Sequence, residues 1–335
     1  VSEWANQRES ESASRRISDK TDGIGKVLAL LGDDAPEVSL PEPVTLEALL
    51  DAVRAVERAA DARLQALQAQ IDEAVYDLYE ISEQDRALIE RELCDRPPEL
   101  VWPQMEGKSD REKRREHVRR LLSHFLLQAL KDKRDGILPL TDGAGRATAL
   151  AEIRHRMEET FGEEAAFKME SEIKQVLGRD VVDWLDGPFI KWHTRLYKRC
   201  PVIWQISSAD YHHTFNCFVY YHKLDADTLR KVQTLYLWPQ RRAIESGLET
   251  ARRDQREGVS GASSRVEDAE EDLEVLEAFE EQLLSVIEGK VPYEPPKWAE
   301  GPFRGGIYDP VLDDGVKVNL MPLQKAGILR YKRLV

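Results

Sequence analysis

LEALLDAVRAVERAADARLQALQAQIDEAVYDLY, residues 46–79, decides the fold class. Leu49, Val53, Val56, Ala60, Leu64, Leu67, Ile71, Ala74 and Leu78 recur at intervals of three and four, the spacing that lines one face of an α-helix. No Pro or Gly breaks the run. Thr45 stands at the N-cap position, where its hydroxyl can accept from an unpaired backbone amide. A helix of this length reaches about 50 Å at 1.5 Å per residue. That exceeds what a compact core requires, so the stretch predicts a spine or coiled-coil arm in an elongated, predominantly α-helical α+β protein.

Toward the N-terminus the pattern fades. Ser, Glu and Arg dominate up to Lys20, a short apolar run covers Val27 to Leu31, and Pro36, Pro41 and Pro43 punctuate a linker over 1–44. The first residue is Val1, so the chain reads as processed or as a piece of something longer. Toward the C-terminus, Ser82 caps a shorter helix over 83–94 that Pro97 and Pro98 end. An amphipathic helix over 108–130 follows, with Val118, Leu121, Leu122, Phe125, Leu126 and Ala129 on its apolar stripe. Residues 137–140, ILPL, lead to a Gly-rich turn and to helices over 147–161 and 163–177, which complete a helical domain at 45–180.

From 181 to 239 aromatics are dense. VIWQIS (202–207) and FNCFVYYH (215–222) read as two strands of an aromatic β-hairpin. Asp227 and Thr228 start a helix that Pro239 is expected to interrupt. Two helical patterns, 240–257 and 262–288, flank GVSGAS and read as an antiparallel helical hairpin over 240–290. A Pro/Gly-rich segment, 291–335, ends the chain with one strand candidate, VKVNL (316–320).

Charge narrows the function classes. The chain carries 48 Lys+Arg against 62 Asp+Glu, net −14, which excludes a uniformly basic nucleic-acid coat. The exception is local. Residues 108–134 hold ten cations and four acids, and KWHTRLYKR (191–199) interleaves cations with Trp192, His193 and Tyr197. Such patches suit phosphate contact and stacking. The competing reading is a solvated face in the first case and a half-buried amphipathic segment in the second. Residues 267–288 carry ten acids and no Lys or Arg, a face that repels DNA.

The chemical motifs are weak. TDGIGKV (21–27) and TDGAGRA (141–147) superficially offer a cofactor turn, but no alternating α/β pattern follows them. The chain lacks the Asn/Asp-Pro-Pro-Tyr/Phe loop that an aminomethylase needs to hold its target amine. EGKS (106–109) has Trp102 where a phosphate loop needs Gly. Glu172-Ile173-Lys174 falls within a helical pattern, which disfavours a nuclease. His193, Cys200, His212, His213, Cys217 and His222 could ligate zinc but lack paired finger spacing, and alternation places Cys217 in the core. Three scattered cysteines fit a reducing cytoplasm, and no stretch is apolar enough to span a membrane.

EEAAFKMESEIKQVLGRDVVDWLDGPFIKWHTRLYKRCPVIWQISSADYHHTFNCFVYYHKL (163–224) resembles the C-terminal region of large bacterial adenine-specific DNA methyltransferases of the BREX phage-exclusion type, PglX-like enzymes related to fused restriction–modification methylases. IDEAVYDLYEISEQDRALIEREL (71–93), DKRDGILPLTD (132–142) and LDDGVKVNLMPLQKAGIL (312–329) resemble flanking pieces in the same order. Glu80 departs from the pattern where the family turns with Gly.

The resemblance implies a parent that moves a methyl group from S-adenosylmethionine to N6 of adenine in a site-specific manner. Its catalytic loop and cofactor turn would lie upstream of Val1. It assigns this chain no catalytic, cofactor-binding or metal residue. It implies double-stranded DNA, the upstream methylase domain and other defence proteins as partners, and no membrane. The DNA contacts expected are Arg111, Lys113, Arg114, Arg115, Arg119 and Arg120 on the basic helix, and Lys191, Trp192, His193, Arg195, Tyr197, Lys198 and Arg199. Two alternatives stand beside this reading: a structural arm of the same complex that never touches DNA, and a stand-alone nuclease.

Overall fold

The computed structural model describes residues 35, 36, 38, 40–93, 103–142, 145–197, 201–208 and 214–330. The chain divides into two compact units, Val1–Arg120 with Met157–Leu177, and Leu121–Arg156 with Gly178–Val335. The protein is predominantly α-helical with a small antiparallel sheet.

In the first unit the long predicted helix is present as α1 (Leu46–Leu78). The Thr45 hydroxyl accepts from the Ala48 amide at 3.2 Å, and the Leu46 amide donates to the Glu172 carboxylate at 2.8 Å. Side chains therefore satisfy two of the amides that a helix start leaves unpaired. Leu46, Leu50, Val56 and Ala60 are buried. Glu80 turns the chain with φ at 50°, the left-handed conformation that favours glycine. Ser82 then caps α2 (Glu83–Leu93) by accepting from the Asp85 amide at 3.2 Å. Arg86 of α2 reaches back to Glu73 at 2.8 Å and Asp77 at 2.7 Å, and lies over the Tyr76 ring. What ends α2 near Pro97 and Pro98 falls outside the described residues.

Helix α3 (Asp110–Asp132) opens on a capping box. The Ser109 amide donates to the Glu112 carboxylate at 3.0 Å, and the Ser109 hydroxyl accepts from the Glu112 amide at 3.4 Å. Residues 110–120 of α3 belong to the first unit, as does α5 (Glu163–Leu177), which follows α4 (Thr148–Phe161).

The second unit is built on a sheet. Strands β2 (Ile203–Ser207) and β3 (Asn216–Tyr220) pair antiparallel, Ile203 opposite Tyr220 and Ser207 opposite Asn216. The predicted hairpin is thus present, but it has a third strand. Ile137–Pro139 forms β1, paired antiparallel with β3, and the order is β1-β3-β2. Three residues offer too little alternation to announce a strand, and Pro139 is tolerated because β1 is an edge. On the opposite side, Leu329 bridges Ile206, which covers the β2 edge.

Trp204, Ile206, Cys217 and Val219 are buried in one core cluster with Leu276, Phe279, Leu283 and Val286 of α10 (Ala262–Ile287). Each fully buried side chain of this size contributes about 1.5–3 kcal/mol relative to exposure. On the other sheet face, Phe218 meets Phe189 edge-on at 5.6 Å. Phe189 belongs to α7 (Pro188–Leu196), which follows the short α6 (Val181–Asp186).

Two expectations are corrected. Pro239 does not interrupt its helix. The run begins as α8 (Thr228–Lys231), widens into a π-helical turn at Val232–Leu237, and continues as α9 (Trp238–Arg256). The Trp238 amide donates to the Gln233 carbonyl five residues back. A wider turn just before a proline relieves the clash of its ring with the carbonyl four residues earlier. VKVNL is not a strand but the start of α11 (Val316–Lys325). Its five residues alternate, yet Asn319, Leu320 and Leu323 together give the three-and-four spacing that buries one helical face.

The helical hairpin is α9 against α10, with Leu248, Ala251 and Val266 in its seam. The acids of α10 are answered within the hairpin: Arg241 meets Glu280 at 3.1 Å and Arg252 meets Glu270 at 2.7 Å.

Candidate nucleic-acid interface

The basic half of α3 lies in the first unit, and ion pairing occupies much of it. Arg114 meets Asp51 of α1 at 2.6 Å. Arg115 donates through Nε to the Val176 carbonyl at 3.3 Å, capping the C-terminal end of α5. Arg119 and Arg120 lie 3.5 and 3.6 Å from Glu116. Arg54 of α1 meets Asp110 at 2.7 Å, and this hydrogen bond holds the Asp110 carboxyl below its usual range. Lys113, Arg114, Arg115, Arg119 and Arg120 are half-buried, whereas Lys108 and Arg111 are exposed. The carboxylates described against these arginines lie on α1 and on α3 itself.

The second cationic patch lies on α7 in the second unit. Pro188 occupies the first turn, where its missing amide costs nothing. Helical spacing then separates the predicted contacts. Lys191 and Arg195, one turn apart, are exposed, while Phe189, Ile190, His193 and Thr194 are buried. Trp192 is half-buried, 5.8 Å from the Trp184 ring. Tyr197 is exposed at the helix end and lies with its ring 4.7 Å from that of His193. Lys198 and Arg199 fall outside the described residues.

His193 is withdrawn from the surface. It is 1% exposed, stacks on Phe189 at 5.0 Å, and its Nε2 accepts from the Ile203 amide at 3.3 Å. Burial pushes its pKa down to about 3. This buried imidazole is held against β2 and positions α7, whereas the expected DNA contact requires a surface side chain.

Sequence reading missed the groups that hold α7 in place. Gln205 donates to the Leu185 and Asp186 carbonyls at 3.0 and 3.2 Å, and Asn216 donates to the Asp186 carboxylate at 2.7 Å. Arg330 donates to the Asp186 carbonyl at 3.2 Å. Together they clamp the Asp186–Gly187 corner from which α7 starts. The alternation of IWQIS hinted at them, because it sets Gln205 and Ser207 opposite Trp204 and Ile206. Alternation alone marks such a face as wet, but here α6 and α7 cover it.

The other motifs take structural roles. In TDGAGRA the Asp142 carboxylate accepts from the Arg146 amide at 2.9 Å and meets its guanidinium at 2.6 Å, closing the loop ahead of α4. Gly143 and Ala144 fall outside the described residues, as does TDGIGKV. Cys217 is buried and its thiol pKa is pushed up by desolvation, so it belongs to the core. Among the described residues no group of three or more His, Cys, Asp or Glu is placed to hold a metal. Cys200, His212 and His213 fall outside them. No described helix is long and apolar enough to cross a membrane.

No family model matches the chain. A curated relative, the adenine-specific methyltransferase BrxX of Escherichia coli O9:H4 (strain HS), is 25% identical over 203 residues, 55% of this chain. The match spans 15% of that relative's length. The likeness supports a methyltransferase-related chain.

Proposed function

We propose that this chain is the DNA-recognition and scaffold region of a site-specific N6-adenine DNA methyltransferase acting in BREX-type phage defence, with methyl transfer performed by a catalytic domain outside it. The observation that carries the reading is the likeness to BrxX, a protein named as an adenine-specific methyltransferase. The absence from the sequence of an amine-holding loop agrees with a non-catalytic part. S-adenosylmethionine belongs, in this reading, to the parent enzyme.

The chemistry left to this chain is positioning. Lys191 and Arg195 present two cations one helical turn apart on a helix whose preceding corner, Asp186–Gly187, is clamped. Two such groups neutralise neighbouring phosphates and orient the duplex without reading its sequence. Arg111 and Lys108 add exposed charge in the first unit.

The test is fluorescence anisotropy of this chain with a labelled duplex over a salt series. Each neutralised phosphate contributes about 0.9 to the salt slope. Lys191→Glu with Arg195→Glu should reduce the slope by about 2 and weaken binding while the far-UV spectrum stays unchanged. Equal slopes for both proteins would refute the contact.

A second reading, a structural arm that holds defence proteins without touching DNA, is favoured by the net charge of −14 and by the pairing of Arg114 with Asp51. Absence of duplex binding at low salt would select it.

A further inference from the structure

The N-terminal half of α1 is buried, and its C-terminal half exposes an apolar stripe. Leu64, Leu67, Ile71, Val75 and Leu78 are between 37% and 76% exposed. Scattered apolar surface residues are ordinary, but a continuous row marks a contact site. With Ala74, positions 64, 67, 71, 74 and 78 follow the alternating three-and-four spacing of a heptad seam. Tyr76 lies off this seam, buried beside Arg86 of α2, so the returning helix leaves the stripe uncovered.

Charge along the helix is asymmetric. Asp72, Glu73, Asp77 and Glu80 follow one another at the C-terminal end with no cation among residues 72–80. On the preceding half Arg54, Arg58 and Arg63 offset most of the charge of Glu47, Asp51, Glu57 and Asp61. Two such helices side by side and parallel would set the acidic ends together. Antiparallel, each acidic end meets the other copy's Arg63. The register that sets Leu67 against Ile71 and Leu64 against Ala74 also sets Arg63 beside Asp77 at both ends of the seam, with Gln70 facing Gln70 midway.

We propose that this stripe is the seam of a homodimer, in which two copies of α1 pack antiparallel through Leu64, Leu67, Ile71 and Ala74. The proposal is independent of DNA binding. The seam covers residues 63–77, roughly 21 Å of helix, which is short for a stable interface, so the affinity falls in the micromolar range. Arg86 pairs with Asp77 within one chain, and Arg63 of the second copy would join that pair.

Sedimentation velocity of the chain from about 1 to about 100 µM reads the dimer directly. The wild type should shift from monomer to dimer across that range, and Ile71→Asp should remain monomeric with unchanged helix content. Arg63→Glu and Asp77→Arg should each weaken dimerisation about tenfold, because each creates two like-charge contacts. Mixed together, these two variants should recover wild-type affinity. In the mixed dimer one end of the seam carries the native pair and the other carries the same pair with its charges exchanged, so both contacts are again attractive. Arg86 keeps Glu73 as a partner when Asp77 is replaced. A wild type monomeric throughout, an Ile71→Asp variant that still dimerises, or a mixture no tighter than either variant alone would overturn the proposal.

Discussion

Among the described residues of the second unit, Asn319 has the most hydrogen bonds of any buried side chain, and its replacement should be severe. It is fully buried in α11. Its Nδ2 donates to the Val311 carbonyl at 2.6 Å and lies 3.0 Å from both the Gly315 carbonyl and the Tyr221 hydroxyl. Its Oδ1 accepts from the Val311 amide at 2.9 Å. Two amide hydrogens and one carbonyl can fill about three of these bonds at once. At ~1 kcal/mol per net bond, and more for a partner left unpaired in the interior, Asn319→Ala should cost about 3–5 kcal/mol. For units of 150–250 residues that lowers Tm by about 2–4 °C per kcal/mol, or on the order of 10 °C.

Asn319→Asp sharpens the test. The new oxygen would face two carbonyls, so ionisation is opposed and the folded pKa rises above the unfolded value of about 3.9. The unfolded chain then loses its proton first as pH rises. The variant is therefore nearest to wild type below about pH 4 and falls further behind as pH climbs toward neutrality. Thermal melts of wild type and both variants between pH 4 and 8 read both effects. A loss under ~1 kcal/mol for Asn319→Ala, or a gap for Asn319→Asp that stays constant with pH, would refute this account of the network.

Three further outcomes are expected. His193 has a folded pKa of about 3 against about 6.5 unfolded, so stability is lost as pH falls below 6.5, by about 2 kcal/mol at pH 5; melts of His193→Gln should show a shallower acid dependence than wild type. Gly289 has φ at 62°, and a Cβ there would sit 2.6 Å from the Gly306 carbonyl oxygen; Gly289→Ala should cost at least ~2 kcal/mol in a denaturant titration. Arg114→Glu would place a third carboxylate beside Asp51 and Glu47, lowering stability by ~1 kcal/mol; a chemical melt should resolve this from Lys191→Glu, which stays within about 0.5 kcal/mol of wild type.

Elements whose signal is local were legible in the sequence alone. The heptad-like run of α1, the Thr45 and Ser82 caps, the β2–β3 hairpin and the α9–α10 hairpin are all periodicity and turn chemistry within a few residues, and backbone geometry enforces them wherever they occur. Cys217 was legible as core for the same reason, because its strand alternates. The rest depended on contacts between distant parts of the chain. A three-residue β1 exists because β3, some eighty residues away, supplies its hydrogen bonds. Residues 316–320 fold as a helix whose Asn319 is held by Tyr221, a partner that no local window contains. The π-helical turn let a proline stay within a continuous helix. Most of all, a count of cations cannot reveal their use. Arg114, Arg115, Arg119 and Arg120 looked like a phosphate grip, yet each has a partner within its own unit. Lys191 and Arg195 remain at the surface while His193 between them turns inward, because a helix rotates neighbouring residues by 100° and only the packing partner decides which side is dry.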